Sequence, residues 1–168
     1  MTEERLLEAL GLKALDRAGW VRKGIEAPES VAAHSWGVAW LVLVLLPAEL
    51  DRERALVYAV LHDLAEVRTG DLLPGQVPRP EKNRREQAAM AELCEERPDL
   101  QAAWEAYEAQ ADPESRFVRE PDRLDMALQA VAYQRRTGTD LTEFLDSAAQ
   151  AIEHPDLIPL LTRLREEG

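Results

Sequence analysis

The stretch LVYAVLHDLAEVRTGD, Leu56 to Asp71, sets an imidazole and three carboxylates at the inner end of an apolar segment. Its first six residues predict a helix with an apolar face, expected to run on through His62, Asp63 and Glu66. Residues four apart share a helix face, so His62 and Glu66 should point the same way, with Asp63 about 100° around. Asp71 follows a Thr69-Gly70 turn. Burying such groups together is costly unless they are paired or hold a metal ion. Imidazole nitrogen and carboxylate oxygen are both good ligands for divalent cations. A second histidine, His34 in SVAAHSWGVAW, interrupts another apolar segment. A single histidine on an apolar helix face is ordinarily a core residue held by a hydrogen bond. Here two segments each spend a core position on one, and the second adds clustered acids.

Helices throughout must position these groups. Alanine, leucine and glutamate dominate, β-branched residues are sparse, and strand-like alternation is missing. A first helix is expected from about Glu3 to Ala18, with Leu6, Leu7, Leu10 and Leu15 as its apolar stripe and Gly19 as its stop. Ser30 caps a second, Val31 to Leu46, apolar nearly all round and therefore central. The third begins near Asp51, carries His62, Asp63 and Glu66, and ends before Gly70. LLPGQVPRP forbids regular structure. A fourth helix covers roughly Glu81 to Arg97 and a fifth about Asp99 to Gln110. Asp112-Pro113 opens a sixth, reaching Thr137-Gly138. Inside it Pro121 predicts a break or kink beside Asp122. Two shorter helices, near Asp140–Glu153 and Asp156–Glu166, close the chain.

The 168 residues suit one domain, 1–168, around one core. Apolar residues at 46% and charged residues at 31% fit a soluble globular protein. Cys94 is the only cysteine, so an internal disulfide is impossible and a reducing, cytoplasmic setting is expected. No signal peptide is legible, and the longest apolar run, Trp36 to Pro47, is too short to span a bilayer. The net charge of −12 argues against nucleic acid polymers and acidic membranes as partners. A phosphate-bearing substrate would need a cation or a few arginines to override that field. P-loop, dinucleotide and HExxH signatures are missing. Trp104 and Tyr107 read as packing, within the chain or against a second subunit.

HDLAEVRTGDLLP, with GWVRKGIEAPESVAAHS before it and EKNRREQAAM and FVREPDRLDMALQA after it, resembles the HD-domain phosphohydrolases. More narrowly it is similar to their 5'-deoxynucleotidase branch. The resemblance spans about residues 12–136, with C-terminal helices near 140–166 completing the fold. It implies an all-α, single-domain bundle with a metal site between the second, third and sixth helices. By position it implies one divalent ion per subunit (Mn, Co, Fe, Zn or Mg) held by His34, His62, Asp63 and Asp122, with Asp125 as the fallback ligand. Glu66 and Asp71 match the family's catalytic carboxylates, either of which could act as base. Arg17 and Trp20 match an Arg/Trp pair at the substrate site, separated by Ala18-Gly19 as in the eukaryotic branch. The implied activity is hydrolysis of deoxyribonucleoside 5'-monophosphates to nucleoside and phosphate, with Arg17 on the phosphate and Trp20 against the sugar. A homodimer is implied as well, with which an apolar patch involving Trp104 would be consistent. Two other readings use the same residues. One is an HD phosphohydrolase of cyclic nucleotides or alarmones; the other is a metal-binding helical interaction module without turnover.

Overall fold

The structure, a computed structural model, describes residues 2–167 and the side chains of 2–166; the first and last residues of the 1–168 span lie outside the described residues. The described residues are all-α, with a single antiparallel bridge between Asp16 and Ser30. In chain order the helices are α1 (Glu3–Ala9), α2 (Ala18–Arg22), α3 (Val31–Leu45), α4 (Arg52–Leu61), α5 (Glu66–Thr69), α6 (Arg79–Leu93), α7 (Pro98–Glu108), α8 (Pro113–Thr137), α9 (Thr142–Ala151) and α10 (Ile158–Glu167). No helix among them is long and apolar enough to cross a membrane.

α3 and α8 form the centre. Ser30 Oγ accepts the Ala33 N–H and starts α3 where its sequence predicts. α8 opens on a capping box of Asp112 and Ser115, with Pro113 at the first helical position. It ends at Gly138, whose φ of 72° suits glycine. Between α3, α8, α9 and α10 lies a core of Leu41, Leu124, Val131, Leu145 and Leu157. Val38, Val42, Tyr58, Tyr107 and Val118 fill the space between α3, α4, α7 and α8. Met90, Leu93, Cys94 and Trp104 tie α6 to α7.

Three expectations change. The first helix stops at Ala9, tightens into a 3-10 turn over Leu10–Ala14, and turns extended at Leu15. Gly19 lies inside α2, where a β-carbon would stand 3.3 Å from the Phe144 ring. Leu6, Leu7 and Leu10 are more than half exposed. The third helix also stops early, at Leu61. His62 Nδ1 donates to the Ala59 carbonyl at 2.9 Å, the acceptor that a continuing helix would offer to the Asp63 N–H. Leu64, Glu66 and Val67 then bond three residues back before α5 ends the segment. Pro121, by contrast, does not break α8. It removes one backbone donor, but it is fully buried between Val118 and Leu124, and packing holds the helix through it.

Candidate metal centre and active site

His34 faces inward from the first turns of α3, and its side chain is fully buried. His62 and Asp63 come from the tightened turn after α4, Asp122 from the middle of α8. Their ligand atoms converge. His34 Nε2 lies 3.3 Å from His62 Nε2, 3.6 Å from Asp63 Oδ2 and 3.2 Å from Asp122 Oδ1. His62 Nε2 is 3.1 Å from Asp63 Oδ2. His34, His62 and Asp63 thus form one cluster of ligand atoms, and Asp122 joins it at His34 Nε2.

What aims the rings is as informative as what they face. His34 Nδ1 is hydrogen-bonded to Asp125 Oδ2 at 2.7 Å, and His62 Nδ1 to the Ala59 carbonyl. Those acceptors draw the ring protons to Nδ1 and turn both Nε2 lone pairs toward each other and toward two carboxylates. Four electron-rich atoms so placed repel one another unless a proton or a cation lies among them. Burial and Arg17 push the His34 imidazole down, but hydrogen bonds to Asp122 and Asp125 outweigh both and raise it to about 10. In the same way burial opposes ionisation of Asp63 and Asp122, yet the two imidazoles hold both carboxyls well below the usual range. A divalent cation in place of that proton would meet two neutral nitrogens and two anionic oxygens, with ring orientation fixed from behind, so the residues fit the metal that the family resemblance implies.

The other predicted residues divide. Asp71 follows Gly70, whose φ of 75° and ψ of 161° are accessible essentially to glycine alone. That turn brings Asp71 back to accept the Ala18 N–H at 2.8 Å. Arg17, just before α2, reaches Asp63 at 3.4 Å and approaches Asp71 at 4.0 Å. Glu66 is 4% exposed, and its Oε2 has no hydrogen-bond partner. Burial, then the charges of Asp63 and Asp71, push its carboxyl up to about 10. Trp20 is not brought to the centre. It is 1% exposed, packs on Phe144 and Tyr133, and donates its indole N–H to Glu29 at 2.8 Å. Its ring is committed to the core and offers a sugar no surface; what it does is anchor the short helix that follows Arg17. Trp104 likewise is buried within the protomer and donates to the His62 carbonyl, so it forms no surface patch.

A cavity of about 890 Å³ opens beside His62, Asp63 and Asp122, between the Leu72–Pro78 loop, α6, α7 and α8. Lys82, Arg119 and Arg123 stand on its wall. Lys82 pairs with Glu86 at 3.3 Å. Arg119 and Arg123, both on α8, escaped sequence reasoning, whereas Lys82, on α6, lies in the basic run RPEKNRRE, residues 79–86, legible in the sequence. Asp125 appeared there only as a fallback ligand; its spacing three residues after Asp122 marks the shared face, but not that it serves the other nitrogen of His34. Gly37, three residues after His34, leaves the space Asp125 occupies.

An all-α bundle with this His/Asp centre defines a class, and the chain belongs to the HD domain family, whose sequence profile matches residues 10–158. The chain is 38% identical to the protein named 5'-deoxynucleotidase HDDC2 of Bos taurus, covering 93% of this chain and 80% of that one. It is 36% identical to the Mus musculus protein of the same name, over 97% and 86%. Among solved structures it is similar to the PH0347 protein from Pyrococcus horikoshii OT3, with a TM-score of 0.86 and 31% identity over 99% of this chain and 100% of that one.

Proposed function

We propose that this chain, one domain throughout, is a metal-dependent phosphomonoesterase that hydrolyses deoxyribonucleoside 5'-monophosphates in the cytoplasm, as a homodimer. The observation that carries this reading is the convergence of His34, His62, Asp63 and Asp122 beside an open cavity, with the unpartnered carboxyl of Glu66 close behind. The named activity of the relatives supports the choice of substrate, and the cavity's volume lies in the range of small-molecule sites.

Those four side chains would hold one divalent ion per subunit, which when bound would supply Lewis acidity to a phosphoryl oxygen and lower the pKa of a bound water. The chain's own residues do the rest. Arg17, already aligned by Asp63 and Asp71, offers a guanidinium to a phosphate oxygen. Asp71 fixes the N-terminal end of α2 through the Ala18 N–H, and with it the position of Arg17. Glu66, whose carboxyl is pushed up by burial and then by the charges of Asp63 and Asp71, is suited to hold a proton for the departing 5'-oxygen. Lys82 and Arg119 offset the chain's negative field where a dianionic substrate enters.

Substrate profiling of the metal-loaded protein tests the reading. Phosphate release from deoxyribonucleoside 5'-monophosphates should exceed cleavage of cyclic nucleotides and of pyrophosphate-bearing alarmones. Preferential cleavage of a diester or pyrophosphate would move the chain to another phosphohydrolase class, and no turnover on any of them would leave a metal-binding module.

A further inference from the structure

The outer face of α3 carries Trp36, Trp40, Leu43 and Val44, exposed by 70%, 52%, 46% and 53%. Their three- and four-residue spacing makes them one stripe, opposite the buried His34, Val38, Leu41 and Val42. No Asp, Glu, Lys or Arg occurs anywhere in α3. A solvent-facing helix ordinarily sets charged residues on its outer face. At ~200 Å² per indole the two tryptophans leave on the order of 250 Å² of ring surface in water. With Leu43 and Val44 the stripe reaches roughly 400 Å², a size that marks interaction surfaces. It would supply about half of the ~800 Å² that each partner gives to a standard interface.

We propose that this face of α3 is where two copies of the chain associate, stripe against stripe about a two-fold axis. Charge argues for a second copy over other occupants. A two-fold contact sets each surface patch against its own duplicate, and a chain of net charge −12 repels itself wherever its charged faces meet. The α3 face lets the chain meet itself without opposing like charges. The same net charge disfavours an anionic lipid surface. Exposed tryptophans are also the residues most enriched among interface hot spots. The inference gives a surface to the homodimer in the proposed function and rests on that reading, but not on the chemistry. His34 points the opposite way, so the metal ligands are not part of the contact.

The test combines light scattering on the full chain with tryptophan fluorescence across a dilution series. Trp20 and Trp104 are already buried in the protomer, so a change in emission reports Trp36 and Trp40. The wild type should scatter as two chains, and its emission should shift to the red on dilution. Trp36→Glu with Trp40→Glu should scatter as one chain, with far-UV circular dichroism unchanged and no shift on dilution. Should that pair fail to fold, Trp40→Ser alone should raise the concentration needed for association at least tenfold. A wild type that stays a single chain at every concentration overturns the homodimer reading and this surface with it. A double variant that remains two chains overturns the surface alone. In that event Leu7→Glu, in the other exposed apolar stripe of Leu6, Leu7 and Leu10, locates the contact on α1. A wild type that is a single chain in solution but sediments with anionic vesicles assigns the face to lipid and likewise overturns the proposal.

Discussion

At Gly37 even a methyl group would stand 2.0 Å from Asp125 Oδ1, far inside van der Waals contact. Gly37→Ala should therefore push Asp125 away from His34 Nδ1 and free the ring that Asp125 orients. Partners of this kind are worth about 10–100-fold in metal affinity. Competition against a chromogenic chelator should show a loss of that size, with helical content retained; unchanged affinity would remove Asp125 from its orienting role. Glu66→Gln tests the other side of the site. It keeps the shape but cannot donate a proton as an acid does, so turnover should fall by roughly 10²–10⁴ while metal stays bound. Asp122 was marked only by the family resemblance, while His34, His62 and Asp63 were legible as candidate ligands because histidine and aspartate are expensive inside apolar helices. The role of Asp125 was not, since Asp122 and Asp125 share one face of α8, and only the ring orientation decides which nitrogen each serves. Trp20 misled for a similar reason: whether an aromatic faces a cavity or the core depends here on Tyr133 and Phe144, far along the chain.

Helix ends decided how well each element could be read. α3 and α8 were legible because their caps are written locally, in Ser30, Asp112, Pro113 and Gly138. The end of α4 was not, because what stops it is a side-chain bond from His62 to Ala59, which looks like helix from residue types alone. Pro121 shows the opposite error, a strong local signal overruled by burial. Asp112 offers a test at this scale. Burial pushes its carboxyl up, but hydrogen bonds from Tyr58 and Ser115 outweigh that and hold it below the usual range. A lowered folded-state pKa means that this stabilisation is present above the unfolded value of about 3.9. It is lost as pH falls through the lower folded value. Asp112→Ala should cost about 1 kcal/mol at neutral pH, and the gap from wild type should close as denaturation is followed below about pH 4. A gap that is constant with pH would contradict the cap's ionic character.

For the molecule as a whole, the candidate ligands come from three separate places, the start of α3, the turn after α4 and the middle of α8. An ion that joins them binds the folded chain and has no preformed site in the unfolded one. A divalent metal at a hundred times its dissociation constant should add about 2.7 kcal/mol to stability. Thermal denaturation should show a higher midpoint with metal than with chelator, and His62→Ala should abolish the difference; a midpoint indifferent to metal would argue against the centre. The chain's charge also takes on meaning at this scale. The net −12 that seems to exclude a phosphate ester is a property of the whole chain, while the cavity wall sets Lys82, Arg119 and Arg123 among Asp63, Glu86, Glu108 and Asp122, so that a bound cation would decide the local field.

The most direct measurement is phosphate release from dAMP and AMP by the same preparation, after chelation and then after re-addition of single divalent metals. Metal-restored hydrolysis of dAMP well above AMP is the predicted result, and it would establish reaction, cofactor class and sugar preference together. Release that survives complete chelation, or none with any metal, would contradict the account.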